Sequence, residues 1–375
     1  MSLQATDSML FKPIQLGHLT LKHRVVMAPM GRLRTTGQHF DMPIPGLVKE
    51  YYSQRASTPG TLLVSESIFV ASKAAGYPGV SGIWSDEQIA GWKEVVDAVH
   101  AKGSYIFAQL VALGRGAGKR EYLQAYDPSY DVVSPGDIPV KGGEAVRMLT
   151  MEEIKEYIQL FAKAAANAVH RAGFDGVEIH GANGHLVNQF IEDVSNNRTD
   201  EYGGNIENRS RFVLELADAI SKAVGEQRTS LRLSPWSRGG GKSALDMRMQ
   251  DPTPAYSYLI TELKNLHPNL AYLHIIEPRV DSVADVQVGD GESNEFIRRI
   301  WLPKPLISAG GYKRHDALEA TREEGMLIAF GRHFLSNPDL PIRLEKDIPL
   351  RHYDRSTFYL VGDASGRGYT DYPFA

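Results

Sequence analysis

The chain has 375 residues, 42% of them hydrophobic, and 41 Lys+Arg against 45 Asp+Glu give a formal charge of −4. That is enough apolar material for a full core and no basic footprint for a nucleic-acid partner. Cysteine is absent, which excludes disulfides, thiolate metal sites, iron–sulfur clusters and a cysteine nucleophile. The opening MSLQATDSMLFKP has no basic stretch followed by an apolar one, so no signal peptide is expected. No apolar run reaches the roughly 18 residues a membrane span needs. A cytoplasmic protein acting on small molecules is the expectation, with a homodimer as the assembly left open.

In chain order, eight short apolar runs end in polar residues or glycine: 24–29, 61–66, 104–110, 176–181, 229–235, 271–277, 305–311 and 326–332. Their apolar residues do not strictly alternate, which suits parallel strands covered on the outer face. Helical stretches follow most of them. The clearest precedes the fourth run: Thr150 and Glu153 read as a capping box, Ile154, Tyr157, Ile158, Phe161, Ala165 and Val169 trace one face, and Gly173 is the stop. Eight such units predict an α/β fold, a single (β/α)8 TIM barrel over residues 1–375. Residues 1–23 form an N-terminal lid segment and residues 333–375 an extension packed on the barrel. A doubly wound sheet would place a glycine-rich turn after its first strand, and Pro29-Met30-Gly31-Arg32 is not that turn.

A barrel of this kind does its chemistry at the C-terminal ends of its strands. Those ends carry Pro29 to Gly31, Glu66 and Ser67, Gln109, His180 with Asn183, Arg232, Glu277, Gly310 and Gly311, and Gly331 with Arg332. Two glycine-rich stretches, 114–119 and 238–243, imitate phosphate cradles but lack the P-loop spacing, so both read as plain loops. Gly331-Arg332 closes the last strand, where such barrels commonly hold a phosphate. His180 and Asn183, three apart on one turn, could aim two donors at a single small oxygen; the bland alternative is a core histidine beside a helix-capping asparagine. No H-x-H or H-E-x-x-H spacing supports a metal. Arg232 and Gln109 sit in apolar strands and need buried partners. With no evident internal carboxylate, they suit a planar heterocycle with an ionisable edge, such as a reduced flavin. A glycoside hydrolase built on Glu178 and Glu277 is the rival chemistry.

At these residues the chain resembles the Old Yellow Enzyme family of FMN-dependent ene-reductases, in particular its fungal branch with the chanoclavine aldehyde reductases. The strings FDGVEIHGANG, RTDEYGGNIENRSRF and FGRHFLSNPDL carry the resemblance, with RVVMAPMGRLR, LRLSP and SAGGY in support. The resemblance implies FMN as cofactor and NADPH as hydride donor. His180 and Asn183 would bind the carbonyl oxygen of an enal or enone, or a phenol in its place. Gln109 and Arg232 would meet the polar edge of the flavin, Pro29, Met30 and Gly31 its ring, and Gly310, Gly311, Gly331 and Arg332 its phosphate. Ser67 joins that cofactor set, while Tyr77, Val111 and Tyr359 would line the substrate pocket. Three positions depart from the family pattern. Gly31 stands where a threonine is usual, Val111 where a tryptophan is common, and His185 where the family has its proton-donating tyrosine. Val111 suggests a roomier pocket and a bulky, secondary-metabolite substrate. His185 either replaces that tyrosine as the acid, with an imidazolium near its ordinary pKa of about 6.5, or only shapes the pocket while water supplies the proton. Reduction of a conjugated C=C bond is therefore the leading expectation, with double-bond isomerisation or desaturation as the alternative. A non-redox flavin-binding protein is the third reading.

Overall fold

The structure, a computed structural model, describes residues 8–237, 247–281 and 284–375; the glycine-rich stretch 238–243 lies outside them. Eight parallel strands close into a barrel: β1 Val25–Met27, β2 Leu62–Phe69, β3 Tyr105–Val111, β4 Gly176–Gly181, β5 Thr229–Leu233, β6 Tyr272–Ile276, β7 Leu306–Ala309 and β8 Met326–Phe330. The ring shuts where β8 pairs with β1, Ile328 opposite Val25 and Phe330 opposite Met27. Each strand leads to a helix on the outside: α1 Leu47–Arg55, α2 Asp86–His100, α3 Met151–Ala166, α4 Ile206–Val224, α5 Thr253–Leu266, α6 Glu295–Trp301, α7 Arg314–Ala320 and α8 Leu340–Lys346.

The incomplete alternation read from the sequence has a physical cause. Ile106, Ala108 and Leu110 of β3, like Val177 and Ile179 of β4, face outward into the main core with the helices. Their inward neighbours change character along the barrel axis. Phe107 and Tyr272 meet Val26, Leu62, Val64, Ile307 and Leu327 in an apolar plug at the N-terminal end, whereas Gln109, Glu178 and Arg232 occupy later inward positions. The pair Ile14–Leu16 and Leu19–Leu21 forms an antiparallel hairpin whose Leu16, Leu19 and Leu21 complete that plug. The plug residues are buried, and such burial contributes roughly 25 cal/mol per Å² of apolar surface.

Helix α3 starts as its sequence demands. Thr150 Oγ1 accepts from Glu153 N at 3.2 Å, and Thr150 N donates to Glu153 Oε2 at 2.8 Å. The helix continues through a wider turn over Asn167–Ala172 and stops at left-handed Gly173, φ +88°. At the other pole, the C-terminal segment is strapped to the barrel by two buried arginines. Arg32 donates to the carbonyls of Thr357, Phe358 and Gly368, and Arg34 to those of Leu360 and Arg367. Among the described residues no helix is long and apolar enough to cross a membrane.

Candidate active site

The end of β4 sets the centre of the site. After Gly181 the chain must turn at once, and it does so through Asn183 at φ +57° and Gly184 at φ +79°; asparagine is one of the few side chains that tolerate this region. Asn183 N donates to Ser234 Oγ at 2.9 Å and Gly184 N to Asn188 Oδ1 at 2.9 Å, fixing the turn. The helix-cap reading of Asn183 does not hold. Helix Leu186–Ile191 is capped at His185, without a side-chain bond, so the Asn183 amide is left to the cavity and its Oδ1 is buried without a partner.

His180 is 3% exposed and accepts a hydrogen bond from Ala182 N at Nδ1, 3.3 Å away. Burial first, then the charges of His185, Arg232 and His274, push it well below its ordinary pKa. It is therefore neutral, and with Nδ1 accepting, the proton resides on Nε2. His185 stands edge-on to it, ring centroids 4.6 Å apart, with Nδ1 buried and unpartnered. Burial and the Arg232 charge push His185 down to about 4, which speaks for the pocket-shaping reading over the acid. An imidazole so placed holds no acidic proton at neutral pH.

A second correction concerns Gln109 and Arg232, for which the sequence offered no internal carboxylate. Register places Glu178 of β4 directly opposite Gln109 of β3. Glu178 accepts from Gln109 Nε2 at 2.7 Å, from His274 Nδ1 at 2.8 Å and from the Tyr272 hydroxyl at 3.0 Å. Burial works to raise Glu178, but His274, Arg232 and Gln109 together hold it below the ordinary carboxylate value. Gln109 thus has a partner of its own, and Ser67 Oγ donates to its Oε1 at 2.6 Å. Arg232 keeps an orphaned Nε over this carboxylate. The same geometry disposes of the glycoside-hydrolase reading. Glu178 is sealed beneath the cavity, and Glu277 is engaged by Arg298, Ser308, Asn294 and Tyr312.

All the candidate residues line one cavity of about 720 Å³: Pro29, Met30, Gly31, Ser67, Tyr77, Gln109, Val111, His180, Asn183, His185, Arg232, Gly310, Gly311, Gly331, Arg332 and Tyr359. Its distal end brings together what a phosphate needs. Gly310 has φ +136°, and a Cβ there would stand 3.0 Å from Glu277 Cβ, so only glycine lets the backbone reach the cavity. Arg332 lies beside it, bonded to Asp285 and, at 3.2 Å, to the Tyr353 hydroxyl; neither partner was evident from the sequence. Lys313, His333 and Tyr353 also line this end and were missed, although His333 directly follows the Gly331-Arg332 signal. Midway, no atom lies within 4 Å of a Cβ built on Gly31, leaving open space beside the floor. A flat group with a polar edge over Gln109 and Arg232 and an anionic tail at Arg332 fits this donor set.

A family model described as the NADH:flavin oxidoreductase / NADH oxidase family matches residues 9–351. The NADP-dependent oxidoreductase lnbE of Aspergillus flavus is 47% identical, covering 98% of this chain and 97% of its own. Chanoclavine-I aldehyde reductase fgaOx3 of Penicillium roqueforti is 46% identical, over 98% and 96% of the two chains. A relative in Epichloe festucae var. lolii, 45% identical over 99% and 96%, bears the name "Probable inactive reductase easA". Among solved structures, the Old Yellow Enzyme from Pichia sp. AKU4542 superposes with a TM-score of 0.86 at 34% identity, covering 98% of this chain and 94% of that one. Fold and site together define a flavin-dependent oxidoreductase on a TIM barrel. The chain belongs to the NADH:flavin oxidoreductase / NADH oxidase family, in its Old Yellow Enzyme group, and is an FMN-dependent NAD(P)H oxidoreductase.

Proposed function

We propose that the protein reduces a C=C bond conjugated to a carbonyl, with NADPH as the donor, in a bulky substrate of secondary-metabolite type. The observation that carries this reading is the neutral His180 whose Nε2–H shares a turn and a cavity with the Asn183 amide. Two neutral donors converging on one carbonyl oxygen draw electron density from the conjugated β-carbon. A charged imidazolium would hand over its proton instead, so the burial that keeps His180 neutral suits it to polarise the carbonyl. Gln109, Arg232, Ser67 and Pro29 to Gly31 would hold the ring of FMN, and Gly310, Gly311, Gly331 and Arg332 its phosphate. FMN, when bound, supplies the hydride chemistry. Arg232 serves the site twice, as a fixed positive charge and by adding to the burial that keeps both histidines unprotonated.

His185 shapes the pocket in this reading and delivers no proton, because burial and Arg232 push it down to about 4 and leave it neutral at pH 7; solvent protonates the α-carbon. The same observation favours one second reading, in which no proton arrives, the hydride returns, and the product is an isomer. Anaerobic mixing with NADPH followed by an enal panel in D2O separates them. Net NADPH consumption with deuterium at the α-carbon supports reduction; an isomer without net consumption replaces it. His185→Phe should leave the enal-dependent half-reaction within about threefold, against the 10²–10⁴-fold loss expected of a general acid.

A further inference from the structure

A second cavity of about 260 Å³ adjoins the first and shares Tyr77 with it. Its walls are aromatic: His39, Phe40, Tyr77, Tyr122 and Tyr126. Among the described residues, no carboxylate, lysine or arginine lines it. His39 stacks on Tyr126 at 4.2 Å, and the Tyr126 hydroxyl donates to Asp41 at 2.9 Å, so that wall is fixed in place. Phe40 is held at φ +51° and is 44% exposed, and Tyr77 is 49% exposed. A bulky side chain at positive φ is strained, and here the strain presents a ring at the rim of a cavity.

The two cavities share a continuous wall. Val111, beside Gln109 at the end of β3, packs with Phe69, Ala75 and Leu113, and the same cluster extends through Val80, Trp84 and Ala117 to Tyr126. The glycine-rich stretch 114–119, which binds no phosphate by its spacing, has a role in this arrangement. Gly118 N donates to Gly76 O at 2.9 Å. A Cβ on Gly118 would come within 3.2 Å of the Tyr77 ring, and one on Gly76 within 2.7 Å of Ala117. The stretch is a low bed on which Tyr77 can lie between the cavities.

We propose that the smaller cavity seats a second, uncharged aromatic ring of the substrate, carried by the same molecule whose carbonyl oxygen is held at His180 and Asn183, with Tyr77 as the partition it passes. The inference rests on the proposed function only for where the oxygen sits. Ring-on-ring packing supplies the recognition, and the lack of charged groups rejects a cationic or anionic arm.

The test uses the oxidised holoenzyme and two phenols that take the oxyanion position: p-hydroxybenzaldehyde, with one ring, and 4-hydroxychalcone, with two. Ala125 lines the small cavity, is exposed, and has helical backbone angles, so Ala125→Trp fills the cavity without backbone strain. The ratio of the two dissociation constants should shift about two- to tenfold against the two-ring ligand, the scale of a lost aromatic pair. Tyr122→Ala, which removes a wall, should shift it the same way and serves if the first variant folds poorly. An unchanged ratio in the folded variants overturns the proposal, and so does weakened NADPH binding with the ratio unmoved. Because the readout is binding, failure of the enzyme to consume any enal would count against the proposed function and leave this result standing.

Discussion

The two ends of the barrel interior are built from the same alternating strands and solve opposite problems. At the N-terminal end the inward residues are Val26, Leu62, Phe107, Tyr272 and Leu327, closed by Leu16, Leu19 and Leu21 of the hairpin; the packing is dry and the rings fill the axis. At the C-terminal end the inward residues are Gln109 of β3, the strand that also carries Phe107, His180 of β4 and Arg232 of β5, and they open on a cavity. Buried polar atoms without partners lie here, among them Asn183 Oδ1, His185 Nδ1 and Arg232 Nε. Unmet hydrogen-bonding capacity costs stability; such atoms occur elsewhere in the molecule too, but those that face the cavity are the ones a bound ligand can satisfy. Glu178 and its three donors form the floor between the halves. One end holds the fold, and the other uses that rigidity to keep donors aimed.

This division can be broken from either side. Phe107→Ala in the plug should cost about 3–5 kcal/mol of unfolding free energy, seen in chemical denaturation. The dissociation constant for p-hydroxybenzaldehyde should hardly change, since Phe107 lies below the floor; a large change would join the two ends into one unit. Gly31→Thr acts at the open end, where a Cβ meets nothing within 4 Å. A hydroxyl bonding the electron-rich reduced flavin would contribute about 1.5–3 kcal/mol, which converts to a midpoint potential raised by roughly 30–60 mV. A fall in potential would place Gly31 away from the flavin edge.

A pH-dependent effect comes from Glu192, buried beside the β4 turn and accepting from the Tyr256 hydroxyl at 2.6 Å and Asn188 Nδ2 at 3.2 Å. Burial pushes it up to about 8. A raised carboxyl pKa means its contribution is complete below the unfolded value and is lost as pH climbs through about 8. Stability should therefore decline between about pH 4.5 and 8, by at most about 1.4 kcal/mol per pH unit from this group. In Glu192→Gln that part of the slope should vanish; an unaltered slope would show that another group titrates there.

Much of this was legible in the sequence, and for identifiable reasons. The strands and the capped helix α3 are local events: β-branched runs, a Thr-x-x-Glu spacing and a terminal glycine announce themselves within a few residues. His180 and Asn183 were legible because both lie on one turn. Glu178 was not, because its meaning depends on registers that set it against Gln109 on one side and bring Tyr272 and His274 toward it from β6. Nor was the state of His185, whose pKa follows from its placement in the cavity wall near Arg232, a residue 47 positions away in the chain. Asp285 facing Arg332, and Tyr126 closing a cavity with Phe40, are likewise contacts between distant segments with no local signature.

The central claim is that His180 and Asn183 together hold a substrate oxygen at the open end of the barrel. The direct measurement is titration of the oxidised, FMN-loaded protein with p-hydroxybenzaldehyde, followed through its long-wavelength absorbance band. Wild-type protein should develop the band, and His180→Ala combined with Asn183→Ala should abolish it while the flavin stays bound. A double variant that retains its flavin and binds the phenol as tightly as wild type would contradict the assignment.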